Sequence, residues 1–296
     1  MIQKFIRTGL AILCLSLTTA FAVAQDFQKS YSLAEGNKVS IKNVAGDILV
    51  KGYDGTTIQV VAFKEGRDRD RLKIEDFSND NSVDVRVNYP QDCNCDASIR
   101  FEVLIPRAFR YNYDAFSTVA GNISIEEIKG VIRAENVSGV ILLKNVAGTM
   151  YAASISGDVM IEQATEVATP GESNGRSGGS WRRVERRYLR GDQPDDSVVA
   201  KSISGNVKVN LIQLASASMK QMEFSTLSGN VEVKMPDNLG AEVEMSTLIG
   251  TVDTDFPLTL VKSNIGIGSS ARGRVGDGSR GLKITSTSGN VSLRKI

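Results

Sequence analysis

The chain has 296 residues, and its 35 Lys and Arg nearly balance its 34 Asp and Glu, for a net charge of +1. That balance gives no global attraction to nucleic acid or to an anionic membrane. No histidine is present, which excludes His-based triads, His general bases and His metal sites.

Residues 1–24 have the pattern of a secretory signal. Lys4 and Arg7 form a basic start, an uncharged and mostly apolar stretch follows, and Ala22-Val-Ala24 is a small-x-small cleavage site, with cut expected after Ala24. Without these residues 33 basic side chains face 34 acidic ones. The apolar stretch is too short for a membrane span, and no later segment has the length or hydropathy of one. Aromatic residues make up only 6%, too few for the girdles of a membrane β-barrel. An exported protein, in the periplasm or at the cell surface, is expected, with no integral span after signal removal.

Residues 25–115 begin with one short repeat unit, NVAGDILVK (43–51), followed by Gly52-Tyr-Asp-Gly55 and a strand pattern at 57–61. The stretch Lys64-Glu-Gly-Arg-Asp-Arg-Asp-Arg71 is balanced in sign and suits a solvated hairpin tip. Val83–Val87 and Ile99–Ile105 alternate like strands and are punctuated by Pro90 and Pro106. This region is expected to be a β layer capping the next one. Cys93 and Cys95 fall in Asp92-Cys-Asn-Cys-Asp96. In an oxidising compartment they are a candidate local disulfide, and two cysteines without histidines are too few for a closed zinc site. A redox pair is the alternative reading.

Residues 116–162 carry the main signal. Glycines stand at 121, 130, 139, 148 and 157, always nine apart, within TVAGNISIE (118–126), EIKGVIRAE (127–135), NVSGVILLK (136–144), NVAGTMYAA (145–153) and SISGDVMIE (154–162). The second, sixth and eighth places are mostly apolar, and places six and eight alternate with polar residues as in a strand with one buried face. The fourth-place glycine suits a corner with positive φ or close backbone approach. The eighth place alternates large and small (Ile125, Ala134, Leu143, Ala152, Ile161). The structural repeat is therefore expected to be two nonads, or 18 residues per coil. One nonad cannot bury its apolar face alone, whereas stacked coils build a continuous core. An antiparallel sandwich is the competing architecture, but its loops rarely keep one length.

Residues 163–199 interrupt the repeat. A polar Gly- and Ser-rich stretch precedes Trp181-Arg-Arg-Val-Glu-Arg-Arg-Tyr-Leu-Arg190. Trp181, Arg182, Arg183, Arg186, Arg187, Tyr188 and Arg190 are candidates for an interaction arm toward an anionic partner. The same segment also reads as a lid packed on the flank. Residues 200–296 resume the repeat with longer coils, as SISGNVKVN (202–210), TLSGNVEVK (226–234), TLIGTVDTD (247–255) and STSGNVSLR (286–294). The fold class expected is all-β, a parallel β-solenoid of about 18–24 residues per coil with an N-terminal β cap.

Ser202-Ile-Ser-Gly-Asn-Val207, Thr226-Leu-Ser-Gly-Asn-Val231 and Ser286-Thr-Ser-Gly-Asn-Val291 resemble the bacterial putative-adhesin, β-strand-repeat family, as do Ile41–Ile48 with Gly52–Gly55, and Gly273–Gly278. The resemblance covers most of 40–296 and implies an exported solenoid with a cell-surface or envelope role. It supplies no catalytic residues, and the 163–199 segment is an insertion relative to it.

Calcium-binding nonapeptides need paired glycines and an aspartate in each unit, whereas Asp follows Gly only at 47 and 158 among the repeat units. Polysaccharide-cleaving β-helix enzymes need a pair of carboxylates on one strip. Glu126, Lys144 and Glu162 lie 18 apart and are expected to stack as a ladder of alternating charge. The sequence therefore points to a non-enzymatic envelope scaffold or interaction module, with a carbohydrate-active enzyme as the alternative. No cofactor, metal or nucleic acid is expected, and the partner is an envelope protein or surface polymer.

Overall fold

The structure, a computed structural model, describes residues 25–90, 94–163, 197–214, 219–262 and 268–296. The signal segment, its cleavage site at Ala24, Cys93 and the whole arm from Trp181 to Arg190 lie outside the described residues. The described chain is all-β and forms two large mixed sheets, one of 11 strands and one of 12.

The nonads dictate how the strands alternate between the sheets. β8 (Arg110–Ala120) lies in the 12-stranded sheet, β9 (Ile123–Glu126) in the 11-stranded sheet, and β10 (Lys129–Ser138), β11 (Ile141–Lys144), β12 (Ala147–Ser156) and β13 (Val159–Gln163) continue the alternation. From β10 to β13 each strand pairs in parallel with the strand two before it. Ile141 is opposite Ile123, and Val159 is opposite Ile141. That offset of 18 is the doubled nonad. β14 (Ser197–Ser204), β15 (Val207–Leu211), β16 (Gln221–Ser228) and β17 (Val231–Met235) follow, with Ser204 opposite Ser228 at an offset of 24.

The large and small eighth places now have a reason. Ile125, Leu143 and Ile161 stack in the 11-stranded sheet, while Ala134 and Ala152 stack in the other. There the adjoining strands contribute Phe116 beside Ala134, and Phe224 beyond Ala200. All are buried in one hydrophobic cluster that runs from Tyr31 to Leu293. Small residues on one sheet make room for rings arriving from its own neighbours, as dense core packing requires.

Both ends depart from simple stacking in chain order. The first repeat strands are β2 (Lys38–Lys42) and β3 (Ile48–Tyr53). They lie between β8–β9 on one side and β6 (Ser82–Asn88) with β7 (Ala97–Pro106) on the other. β4 (Ile58–Gly66) and β1 (Phe27–Tyr31) then close the 11-stranded sheet in antiparallel fashion, and β5 (Lys73–Asp76) closes the other. At the far end β22 (Arg280–Ser288) and β23 (Val291–Lys295) insert between β16–β17 and the earlier pair β18 (Ala241–Ile249) and β19 (Val252–Thr254). Gly229 is therefore followed in space by Gly289 and then Gly250. Gly229 and Gly250, 21 apart in sequence, are therefore not neighbours in space, which corrects the expectation of longer coils stacked in chain order. β20 (Thr259–Lys262) and β21 (Ser269–Val275) cover the β18 edge antiparallel, and β19 ends the 11-stranded sheet. The antiparallel strands keep the edges they cover from templating further pairing.

The glycine expectation also needs correction. Only every second glycine makes a corner. Gly121 and Gly139 turn the chain between sheets, but Gly130 and Gly148 lie inside β10 and β12. The opposite corners turn at Glu127 and Asn145, with φ of 57° and 50°. Their amides donate to the Lys144 and Glu162 carbonyls on the neighbouring strands β11 and β13, at 3.0 and 2.8 Å, which holds these non-glycine residues in the left-handed region.

Candidate interaction surface

The corner motif S/T-x-S-G-N-V can be read atom by atom. Its first residue faces inward and is buried: Thr118, Asn136, Ser154, Ser202, Thr226, Ser286 and Thr247 are all 3–6% exposed. All but Ser154, whose buried hydroxyl has no hydrogen-bond partner, reach the glycine carbonyls of a neighbouring repeat. Ser202 Oγ donates to Gly157 O at 2.9 Å, Thr226 Oγ1 to Gly205 O at 2.8 Å and Thr247 Oγ1 to Gly289 O at 2.7 Å. Buried hydroxyls need such partners. After the glycine, the side chain of Asn or Asp forms a second ladder. Asn206 Nα donates to Asp158 Oδ1 at 2.7 Å, Asn230 Nα to Asn206 Oδ1 at 3.0 Å and Asn290 Nα to Asn230 Oδ1 at 2.8 Å. The following Val or Ile (123, 141, 159, 207, 231, 291) is buried.

Because the first residue points in, strand alternation sends the second one out. The second-place aliphatics therefore split into two groups. Ile128 and Val146, at the other corner, are buried, at 1% and 4% exposed. Val119, Val137, Ile155, Ile203, Leu227 and Leu248 are 40–54% exposed, and Val44 is 37% exposed. Flanking pairs fix their order: Asn136 with Thr118 and Ser154, Ser202 with Ser154 and Thr226, Ser286 with Thr226 and Thr247. Val44 joins beside Val119 through the Ala45–Ala120 bridge. The outer stripe thus runs Val44, Val119, Val137, Ile155, Ile203, Leu227, Thr287, Leu248. Seven steps of about 4.8 Å make it roughly 34 Å long.

A groove of about 760 Å³ follows this stripe. Its apolar wall contains Val119, Val137, Ile155, Ile203 and Leu227, and its other wall contains Glu135, Tyr151 and Lys201. The polar wall is internally neutralised. Arg133 lies 2.8 Å from Glu135 and 5.0 Å from the centre of the Tyr151 ring, and Lys201 lies 3.0 Å from Glu223. Burial pushes the Tyr151 phenol above its ordinary range, and the Glu135 carboxylate adds to that shift. The phenol therefore stays protonated near neutral pH. A long apolar strip beside paired charges is equipped to bind by contact and hydrogen bonding.

Of the residues picked out by sequence, the described chain includes Cys95, which is disulfide-bonded. Glu126, Lys144 and Glu162 are register neighbours on adjacent strands of the 11-stranded sheet, with the lysine between the two carboxylates. They are remote in sequence place from the groove, whose lining residues come from the other sheet. Among the described residues, no group of three or more His, Cys, Asp or Glu is arranged to hold a metal ion. The stripe itself was missed by sequence reasoning. The signal that could have found it was the polar first place, which fixes the inward side of that strand.

No protein-family model and no curated protein matches the sequence. Three crystal structures overlay on 91% of the chain. A "putative cell adhesion protein" from Clostridium sporogenes shares 9% identity at a TM-score of 0.35, with 99% of its own chain covered. A "putative adhesin" from Bacteroides fragilis shares 10% identity at 0.35, with 96% covered. A "putative adhesin" from Parabacteroides distasonis shares 10% identity at 0.28, again with 96% covered. Overlays at these scores carry no argument about role.

Proposed function

We propose that the chain is an exported, non-enzymatic β-solenoid that serves as an adhesin-like or envelope interaction module, engaging its partner along the groove of the 12-stranded sheet. The solenoid reading rests on strands that alternate between the sheets and pair at whole-coil offsets. Export is supported by the residue pattern of 1–24 and by the disulfide at Cys95, since disulfides persist in oxidising compartments. The observation that carries the binding role is the exposed aliphatic stripe, because a contiguous apolar strip rimmed by polar residues marks a contact surface. The partner is an envelope protein, a second copy of the chain included, or a surface polymer.

A binding screen against purified envelope proteins and surface polysaccharides tests this reading. It should return a ligand whose binding is lost in Ile155→Asp. A silent screen, or a ligand indifferent to the stripe, would argue against it. Turnover of a glycan that disappears in Glu126→Gln or Glu162→Gln would instead install the enzymatic alternative.

A further inference from the structure

We infer that the partner seated on the aliphatic stripe is a second copy of the same chain, docked about a two-fold axis so that the two stripes run antiparallel. The inference rests on the proposed use of this groove for binding and names its occupant.

The first argument is periodicity. The stripe presents one side chain per strand, so its repeat is the strand spacing of about 4.8 Å. A second stripe with the same repeat can interdigitate along the whole length, as paired sheets do in steric zippers.

The second argument is size. Seven of the eight positions grade from small to large, with Val44, Val119 and Val137 at one end, Ile155 and Ile203 in the middle and Leu227 and Leu248 at the other, and Thr287 between the leucines is the exception. A parallel pairing would set valine on valine at one end and leucine on leucine at the other, leaving a wedge. The antiparallel two-fold sets Val44 against Leu248, Val137 against Leu227, Ile155 against Ile203, and Val119 against the nearly isosteric Thr287. Facing pairs then fill a nearly even gap. Such self-complementarity is what an isologous interface requires.

The flanking rows agree. Ser138, Ser156, Ser204 and Ser228 form an exposed small-residue row on one side of the stripe, which permits close approach. On the other side the same operation places Glu135 opposite Ser225 and Ala153 opposite Lys201, so no like charges meet. Area is also sufficient. The exposed parts of the seven aliphatics would bury about 1,100 Å² over two copies before any flanking residue is counted, close to the roughly 1,200–2,000 Å² of stable specific interfaces.

Sedimentation of the mature chain across micromolar concentrations tests the proposal. A dimer is expected, and Ile203→Asp should convert it to a monomer with unchanged circular dichroism, because Ile203 is half exposed in each copy, and with a melting temperature that no longer depends on concentration. Cross-linking tests the direction. The double variant Val137→Cys with Leu227→Cys should form covalent dimers under oxidation, while Val137→Cys alone should not. The two positions are three strands apart within one copy, too far for an internal bridge. A wild-type monomer, a dimer indifferent to Ile203→Asp, or self-linking of Val137→Cys would overturn the proposal. A monomer that still binds an envelope ligand through the stripe would overturn this inference alone. A stripe-dependent dimer with a silent ligand screen would overturn the envelope role alone.

Discussion

Replacing Gly139 by valine should be among the most damaging single changes at any corner. Gly139 has φ of 120°, in the region that side chains with a Cβ avoid. A Cβ built there runs into the Gly121 carbonyl oxygen and stands 2.7 Å from its carbon, which is backbone and cannot rotate away. The two coils must separate locally. That movement weakens the bond from Gly121 N to Ser138 O at 3.0 Å and from Val140 N to Asn122 Oδ1 at 2.9 Å. Backbone strain costs about 1–3 kcal/mol, and each lost hydrogen bond about 1 kcal/mol. The expected total is about 3–5 kcal/mol. Gly36→Ala is the control. Gly36 also has positive φ, 83°, but a Cβ there meets nothing within 4 Å, so strain alone, about 1 kcal/mol, should remain. Urea unfolding of both variants, with amide exchange to locate the damage around β9–β12, reads the difference. Equal stability of the two variants would refute the reasoning that glycine stacking, beyond φ, sets these corners.

Other outcomes follow from the same geometry. Leu143→Ala, at a fully buried position, should cost about 2–5 kcal/mol, whereas Leu227→Ala on the stripe should change the stability of the dissociated chain by under about 0.5 kcal/mol; chemical denaturation at a concentration where the chain is monomeric compares them. Asn230→Ala removes the acceptor for Asn290 N and should cost about 1 kcal/mol, while Asn230→Asp keeps that acceptor and should recover most of the loss in the same assay. Asp76 joins the N-terminal ends of both sheets, accepting from Lys29 Nζ at 2.5 Å and from the Tyr31 hydroxyl at 3.1 Å. Burial alone would raise its pKa, but hydrogen bonds from Lys29, Ser78 and Tyr31 outweigh burial and hold it at about 2. Its folded value is below the unfolded one near 3.9, so its contribution is present above that pH and is lost as pH falls toward 2. Melting curves should show Asp76→Asn less stable than wild type at pH 6, with the gap closing between pH 4 and 2; a constant gap would contradict this.

The nonad was legible in the glycines, nine apart from Gly121 to Gly157, and its doubling in the large–small alternation from Ile125 to Ile161. Both reflect local geometry: one corner per coil where a Cβ cannot fit, and one sheet that must leave room for rings such as Phe116 and Phe224. The direction of Val119, Ile155 and Leu227 was not legible from hydrophobicity, since an aliphatic residue next to a corner can face either way. The buried hydrogen bonds of Ser202 and Thr226 decide it. The insertion of β22–β23 ahead of β18–β19 was hidden as well. Each coil has much the same inward pattern, so composition does not state which neighbour it takes. The same ambiguity hides the placement of β2–β3 between β6–β7 and β8–β9.

The central claim is that residues one doubled nonad apart lie side by side on parallel strands. Ser124 and Leu142 are register partners on β9 and β11, and Met160 is the next partner on β13. Adjacent strands bring Cα atoms to about 4.8 Å, within disulfide reach, while two strands apart is about 9.6 Å and beyond it. Oxidation should therefore close an intramolecular bridge in Ser124→Cys with Leu142→Cys and leave Ser124→Cys with Met160→Cys open. A bridge in the second pair and none in the first would contradict the winding on which every other conclusion depends.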